Sequence, residues 1–305
     1  MGSDDVENMD TSDTLWCWYY LADCGQWHHF EDDPDNPLCS NDIDTYYRMN
    51  SKAVLTKTSI NCHINIDFSA MLQTNFITGK QRRVQRTYHF ERRCSCSSAA
   101  PVWWEGVEPT CPYQLIPLSE RSPEYQTVEG YVKNDGLLDK TILSIIRIQN
   151  LDLWEIYCRK KKQLMRLQGV REIQERRLFH GTEIKNVDYI CKYNFDLRLA
   201  GQNGHVFGKG IYFAKRASFA DKYSAESLDP LPTNGLNRYA GRTKIQFLSR
   251  VMIGNSNLGN GHFIKPDHGS SENYHDSCVD DISHPNIFVI FDPNQIYPEY
   301  LIQYK

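Results

Sequence analysis

Two short runs in the second half of the chain set chemically capable residues beside glycine, LFHGT at 178–182 and FGKGIYFA at 207–214, and a third, DKYS at 221–224, follows them without one. Glycine is what a backbone needs where it turns sharply or lets a ligand come close, and each of the first two runs sets an apolar β-type segment against one. Gly208-Lys209-Gly210 alone is a weak signal, and neither a P-loop nor a GxGxxG dinucleotide fingerprint follows it. Singly, His180 reads as a turn histidine and Tyr212 and Tyr223 as core rings. His-Gly-Thr, then Gly-Lys-Gly-Ile-Tyr-Phe-Ala about thirty residues on, then Tyr223 eleven positions after Tyr212, read together as one binding site.

The elements that must position this set are short. RLFHG is a strand running into a turn, 187–194 a helix, and 196–208 a glycine-containing loop over the pocket. Residues 244–253 and 287–291 read as core strands, joined by a long Gly/Asn/Ser/His-rich segment at 254–286. Upstream, 113–118 is a strand, and Ser122-Pro123 opens a helix with proline in its first turn. The β-branched alternation of 140–149 predicts another strand, and Asn150 caps a helix whose Leu153, Trp154, Tyr157 and Leu164 share a face. The basic run 159–162 falls on that helix's exposed side, either a solvated face or a nucleic-acid patch.

The first hundred residues have a different grammar. Residues 1–14 are acidic and polar without periodicity, and are expected to be disordered. LWCWYY at 15–20 and WHHF at 27–30 form a hairpin about the Asp23-Cys24-Gly25 turn, 41–49 is a short helix capped at Ser40 or Asn41, 62–68 is a strand, and 80–88 is a basic closing strand after a turn at 78–79. From 94 the composition becomes Pro/Ser/Gly linker, although Trp103-Trp104 is too apolar to be left free and is expected to dock on a flanking domain.

With 305 residues the chain has room for roughly two domains, and at 40% hydrophobic and 12% aromatic residues it can bury globular cores. No apolar run approaches the ~20 residues of a membrane span. The polar start fits neither a signal peptide nor a mitochondrial presequence, so an intracellular setting is expected. The ten cysteines are scattered and read as reduced thiols; Cys24-x3-His28 and Cys94-x-Cys96 lack the second pair that zinc needs, so no metal is expected.

The His-Gly, Gly-Lys-Gly-Ile-Tyr-Phe-Ala and Tyr223 set resembles the NAD+ site of the poly(ADP-ribose) polymerase (diphtheria-toxin-like ADP-ribosyltransferase) family. That resemblance implies that NAD+ is the substrate, that His180 hydrogen-bonds a hydroxyl of the adenine-side ribose, that Gly181 grips the nicotinamide amide through its own N–H and C=O, and that Tyr212 lines the site while Tyr223 stacks on nicotinamide. The chain departs from the family at two positions. Ala220 stands where the family often has a serine donor, with Ser218 or Ser224 as possible substitutes. Ile287 stands, in the last strand, where chain-elongating members carry a glutamate. A His180–Tyr212–Ile287 set implies transfer of single ADP-ribose units to protein acceptors. Beside the catalytic unit there is no room for the helical regulatory domain of DNA-dependent members and no zinc fingers precede it, so no dependence on DNA breaks is expected.

Residues 15–93 resemble a WWE domain on Trp18, Trp27 and Glu31. The resemblance implies binding of ADP-ribose or poly(ADP-ribose) by Tyr20, Trp27, Gln73 and Arg82, through ring stacking and a two-pronged guanidinium grip on phosphate. A tyrosine that some of these domains use for adenine is replaced by Ile64. The other reading of these rings is core packing in a small β-rich domain, with 80–86 as a solvated face.

The expected fold is α+β: an acidic tail at 1–14, a WWE half-barrel with one helix at 15–93, a linker at 94–112, and an ADP-ribosyltransferase domain of two antiparallel-rich sheets with flanking helices at 113–305. The rival functional class is a catalytically inactive reader of ADP-ribose, and RNA binding through the basic helix is a third reading. The family implies a nuclear or cytoplasmic setting, the nuclear envelope region included.

Overall fold

The computed structural model describes residues 16–22, 25–32, 38–59, 62–76, 79–88, 100–101, 104–106, 110–170, 172–199, 204–232, 241–272 and 274–305. The acidic start, Cys24, Cys94, Cys96 and Trp103 lie outside them. The chain divides into two compact units between positions 103 and 104. No described helix is long and apolar enough to cross a membrane.

The first unit is a six-stranded antiparallel sheet with one helix. Its strands are β1 (Trp16–Leu21), β2 (Trp27–His29), β3 (Val54–Ser59), β4 (Cys62–Asp67), β5 (Leu72–Asn75) and β6 (Gln81–Tyr88), in the order β2-β1-β6-β5-β4-β3. The helix α1 (Ser40–Met49) begins after Cys39 rather than at a Ser40 or Asn41 cap, because the Ser40 hydroxyl already accepts from Trp18 N–H at 3.0 Å and gives its proton to the Glu31 carboxylate at 3.0 Å. Trp18 is fully buried, its indole N–H donating to Asp44 at 3.3 Å, and Arg86 and Arg48 close on the same carboxylate. Trp18 and Glu31 thus tie α1 to the sheet.

The second unit carries β7 (Gln114–Pro117), β8 (Ile142–Gln149), β9 (Glu175–Thr182), β10 (Ile211–Ala214), β11 (Lys244–Met252), β12 (Ser256–Leu258), β13 (Ser277–Val279), β14 (Ile287–Ile290) and β15 (Ile296–Tyr304). The helices are α2 (Pro123–Gly130), extended by a wider π turn, α3 (Leu151–Gln168), α4 (Val187–Tyr193) and the single turn α5 (Ala217–Ala220). Strands run in the order β12-β13-β14-β10-β9-β11-β15-β8-β7, all antiparallel except β12 with β13. The two antiparallel-rich halves, β12-β13-β14-β10 and β9-β11-β15-β8-β7, are joined by one residue pair alone, Ala214 with Phe179. β9 and β10 share no other ladder pair, and the backbone groups left open there need other partners.

Three sequence expectations are corrected. His180-Gly181 lies within β9, not in a turn, because both residues pair with β11 opposite Phe247 and Gln246. Ile287 is in the penultimate strand, since β15 follows it and pairs with both β8 and β11. The basic run on α3 is not one free face: Lys160 reaches Asp292 at 2.8 Å, and Lys161 is buried against Glu175 at 3.1 Å. Leu153, Trp154, Tyr157 and Leu164 of α3 are buried as their spacing predicts, and the Asn150 side chain caps the helix by accepting from Leu153 N–H at 3.0 Å. Trp104 packs on this unit, 6.0 Å from the Trp154 and Tyr297 rings, and Glu105 N–H donates to Gln149 at 2.9 Å, so the middle of the expected linker belongs with this core.

Candidate active site

The residues singled out by sequence converge on the β9–β10 junction. His180 follows Phe179 directly, and its Nδ1 lies 2.8 Å from the carbonyl oxygen of Tyr212, across the junction. A carbonyl only accepts, so Nδ1 carries the proton and Nε2 is left as an acceptor. The ring is flanked by Phe195 at 4.9 Å and Phe213 at 5.5 Å. Burial disfavours the imidazolium more than the Tyr212 carbonyl favours it, so the pKa lies below the ordinary histidine value and the ring is neutral at pH 7.

Gly181 is glycine for a steric reason. A side chain there would run into the Ala220 carbonyl oxygen and come within 2.7 Å of Ser224 Oγ. The α5 segment therefore lies directly against the β9 backbone at Gly181. Ala220 is buried and has no hydroxyl to donate. Ser224, one of its possible substitutes, is itself buried, with an Oγ that makes no hydrogen bond among the described residues.

Tyr212 holds the glycine loop. Its hydroxyl accepts from Phe207 N–H and donates to the Gly208 carbonyl, both at 2.9 Å. Gly208 adopts φ +133°, and a Cβ there would meet the Phe291 ring at 2.6 Å, so the turn tolerates no side chain. Burial raises the Tyr212 pKa, and Tyr223 adds to the rise, so the phenol stays neutral. Tyr223 itself is 45% exposed at the end of the turn that follows α5, with Phe219 at 5.9 Å. Ile287 is paired with Ala214, the junction residue, and is 8% exposed among apolar neighbours. Its N–H donates to Asp280 at 3.0 Å.

The fold thus brings His180, Gly181, Tyr212, Tyr223 and Ile287 to one place. Sequence reasoning missed Asp221, which sits between Ala220 and Tyr223 and is bound by Lys140, Lys244 and Tyr304. Only its position inside the motif could have signalled it, because two of these partners lie more than eighty positions away.

In the first unit three of the four expected groove residues meet. The Arg82 guanidinium lies 3.6 Å from the centre of the Tyr20 ring, and Arg82 Nε donates to Gln73 Oε1 at 2.6 Å. All three are buried. Trp27 is paired with Leu21, one register row from the Tyr20–His28 pair, so its side chain leaves the sheet from the alternate pleat. Ile64 is buried in the core.

Residues 122–271 match the family described as the poly(ADP-ribose) polymerase catalytic domain, and residues 16–86 match the WWE domain. The chain is 43% identical to the mono-ADP-ribosyltransferase PARP11 of Mus musculus, across 98% of this chain and 95% of that protein. It belongs to the poly(ADP-ribose) polymerase family. The Homo sapiens PARP11 is 42% identical over 99% of this chain and 94% of its own, and the Mus musculus PARP12, another protein named as a mono-ADP-ribosyltransferase, is 33% identical over 96% of this chain and 43% of its own. Within this family, the junction that gathers His180, Gly181, Tyr212 and Tyr223 coincides with the motifs that carry the sequence resemblance.

Proposed function

We propose that this protein is an NAD+-dependent mono-ADP-ribosyltransferase that moves one ADP-ribose to an amino-acid side chain of a protein acceptor, and that its WWE unit binds ADP-ribose or poly(ADP-ribose) ends. Residues 15–93 form the WWE domain and 113–305 the catalytic domain, with 94–112 between them. The observation that carries the single-unit product is Ile287, an apolar side chain beside the junction where a polymerase needs a carboxylate.

In the proposed site Nε2 of His180 accepts from a hydroxyl of the adenine-side ribose, which the Nδ1–H···O=C bond to Tyr212 supports by fixing the tautomer. Gly181 presents its backbone to the nicotinamide amide, Tyr212 shapes the loop, and Tyr223 stacks on the nicotinamide ring. The glycosidic bond to nicotinamide breaks, its electron pair leaves with the pyridine nitrogen, the acceptor nucleophile bonds to the ribose carbon, and the acceptor loses its proton. Orientation and exclusion of water are what this chain supplies, because the cationic leaving group already weakens the bond. No metal enters the scheme, and DNA-break dependence and RNA binding form no part of it. We place the protein inside the cell, in nucleus, cytoplasm or both.

Ala220 favours a second reading, an ADP-ribose-binding protein that no longer catalyses, since the hydroxyl donor to the nicotinamide carbonyl is missing there and Ser224 is buried. Incubating the full chain with adenylate-labelled NAD+ and a mixture of proteins separates the two. Transfer is expected as discrete single-unit adducts by mass; label that is bound but never covalent supports the second reading.

A further inference from the structure

The turn that carries Tyr223 has little stability of its own. It consists of the four-residue α5 and a 3-10 turn (Asp221–Tyr223), and one helical turn does not pay for its own nucleation. Ala217 and Ala220 pack into the core and Ser218 N–H donates to the Gly136 carbonyl at 3.0 Å, and the Asp221 side chain adds the charged anchor nearest Tyr223. Asp221 Oδ1 accepts from Lys140 Nζ at 3.1 Å, Lys244 Nζ at 3.1 Å and the Tyr304 hydroxyl at 2.9 Å, and Oδ2 lies 3.0 Å from Lys140 Nζ. Lys244 Nζ also donates to the Asp221 backbone carbonyl at 3.2 Å.

These partners come from three places. Lys140 precedes β8, Lys244 opens β11 and Tyr304 closes β15, so one carboxylate gathers one end of the main sheet onto the turn. The Asp221 and Lys244 side chains are each 19% exposed, and Tyr304 is fully buried, so water competes weakly for these charge-assisted bonds. Burial alone would raise the Asp221 pKa, but the bonds from Lys140, Tyr304 and Lys244 outweigh it and hold the carboxyl below its ordinary value. Nothing in the transfer chemistry uses these four groups.

We propose that Asp221 is a positioning residue: its contacts to Lys140, Lys244 and Tyr304 fix the turn against Gly181 so that the Tyr223 ring is held in place for nicotinamide. The proposal rests on reading the junction as an NAD+ site. Asp221→Asn keeps the size but loses the charge and one acceptor oxygen. It weakens the anchor of the 3-10 turn and changes no residue of the His180, Gly181 and Tyr212 set.

The test uses the full chain, with NAD+ as substrate and nicotinamide as product inhibitor. Loss of one charge-assisted anchor predicts that KM for NAD+ and the inhibition constant of nicotinamide both rise about tenfold in Asp221→Asn, while kcat changes by less than about threefold. Asp139→Asn, which removes a nearby exposed carboxylate, should change neither. A purely structural role would lower the melting temperature and the active fraction with KM unchanged, and that result overturns the proposal. Should Asp221→Asn not fold, Tyr304→Phe removes one of the same bonds and is expected to raise both constants about threefold; unchanged constants overturn the proposal equally. A wild-type chain that binds no NAD+ fails before any variant is made, and so rejects the site reading itself.

Discussion

His180 Nδ1 and the Tyr212 carbonyl oxygen are 2.8 Å apart across the one point where β9 and β10 share a single residue pair. The two strands share no further ladder pair, and the hydrogen bond between them fixes which imidazole nitrogen is an acceptor. Ala214 and Phe179 are that pair, Gly181 lies two residues further along β9, and the turn bearing Tyr223 packs on Gly181. The local failure of the sheet is therefore what assembles the site.

In the WWE unit, Arg82 and Arg83 are neighbours on β6 facing opposite ways, Arg82 buried over Tyr20 and Arg83 exposed. Arg82→Ala is expected to weaken ADP-ribose binding by about 1.5–3 kcal/mol, the range for a charged hydrogen bond, and Arg83→Ala by much less. Titration calorimetry giving equal losses, or no binding by the intact protein, would assign Tyr20, Gln73 and Arg82 to core packing alone.

Ile287→Glu is expected to remain a mono-transferase. The new carboxylate would be buried next to Phe288 and close to the Asp280 carboxylate that accepts the residue-287 N–H at 3.0 Å. Burying such an unpaired charge costs roughly 2–4 kcal/mol and raises its pKa, so it is a poor base as well as a destabilising one. A gel ladder of long chains from labelled NAD+ would show that this one position sets product length.

The catalytic unit should lose stability in acid through Glu175. That carboxylate accepts from Arg250 at 2.6 and 2.9 Å, from Lys161 at 3.1 Å and from the Tyr157 hydroxyl at 2.6 Å. Burial opposes its ionisation, but the Arg250 and Lys161 charges prevail and hold its pKa far below the ordinary range. A depressed carboxylate pKa stabilises the fold above the unfolded value of about 4.3, and that stability is lost as pH falls further. The melting temperature is expected to be level from pH 8 to about 5 and to drop below about pH 4. Glu175→Gln should cost about 3–5 kcal/mol at pH 7, since Arg250 and Lys161 stay buried without their counterion. A variant as stable as wild type at pH 7 would remove Glu175 from this role.

What the sequence revealed follows from how local each signal is. The His-Gly and Gly-Lys-Gly-Ile-Tyr-Phe-Ala runs and Tyr223 carry their information in types and short spacings, so the residues that the fold gathers at the β9–β10 junction could be named from sequence. β15 could not: all nine of its residues are buried, leaving no alternation, and Pro298 sits at its register shift and breaks the pattern. The edge strand β3 was missed for the opposite reason, since only Leu55 is buried among its described side chains. Lys161 reads as one of four basic residues, and only the fold shows it turned inward to Glu175. Asp221 depends on partners 81 and 83 positions away, which no local pattern encodes.

The most direct measurement is covalent transfer from NAD+ labelled in its adenylate half, compared between the wild-type chain and His180→Ala, with released nicotinamide counted in the same reaction. Wild type should release nicotinamide and incorporate label as single ADP-ribose units, and His180→Ala should do neither while keeping the wild-type melting temperature within a few degrees. A wild-type chain that incorporates no label, or a His180→Ala variant that transfers at the wild-type rate, would contradict the account.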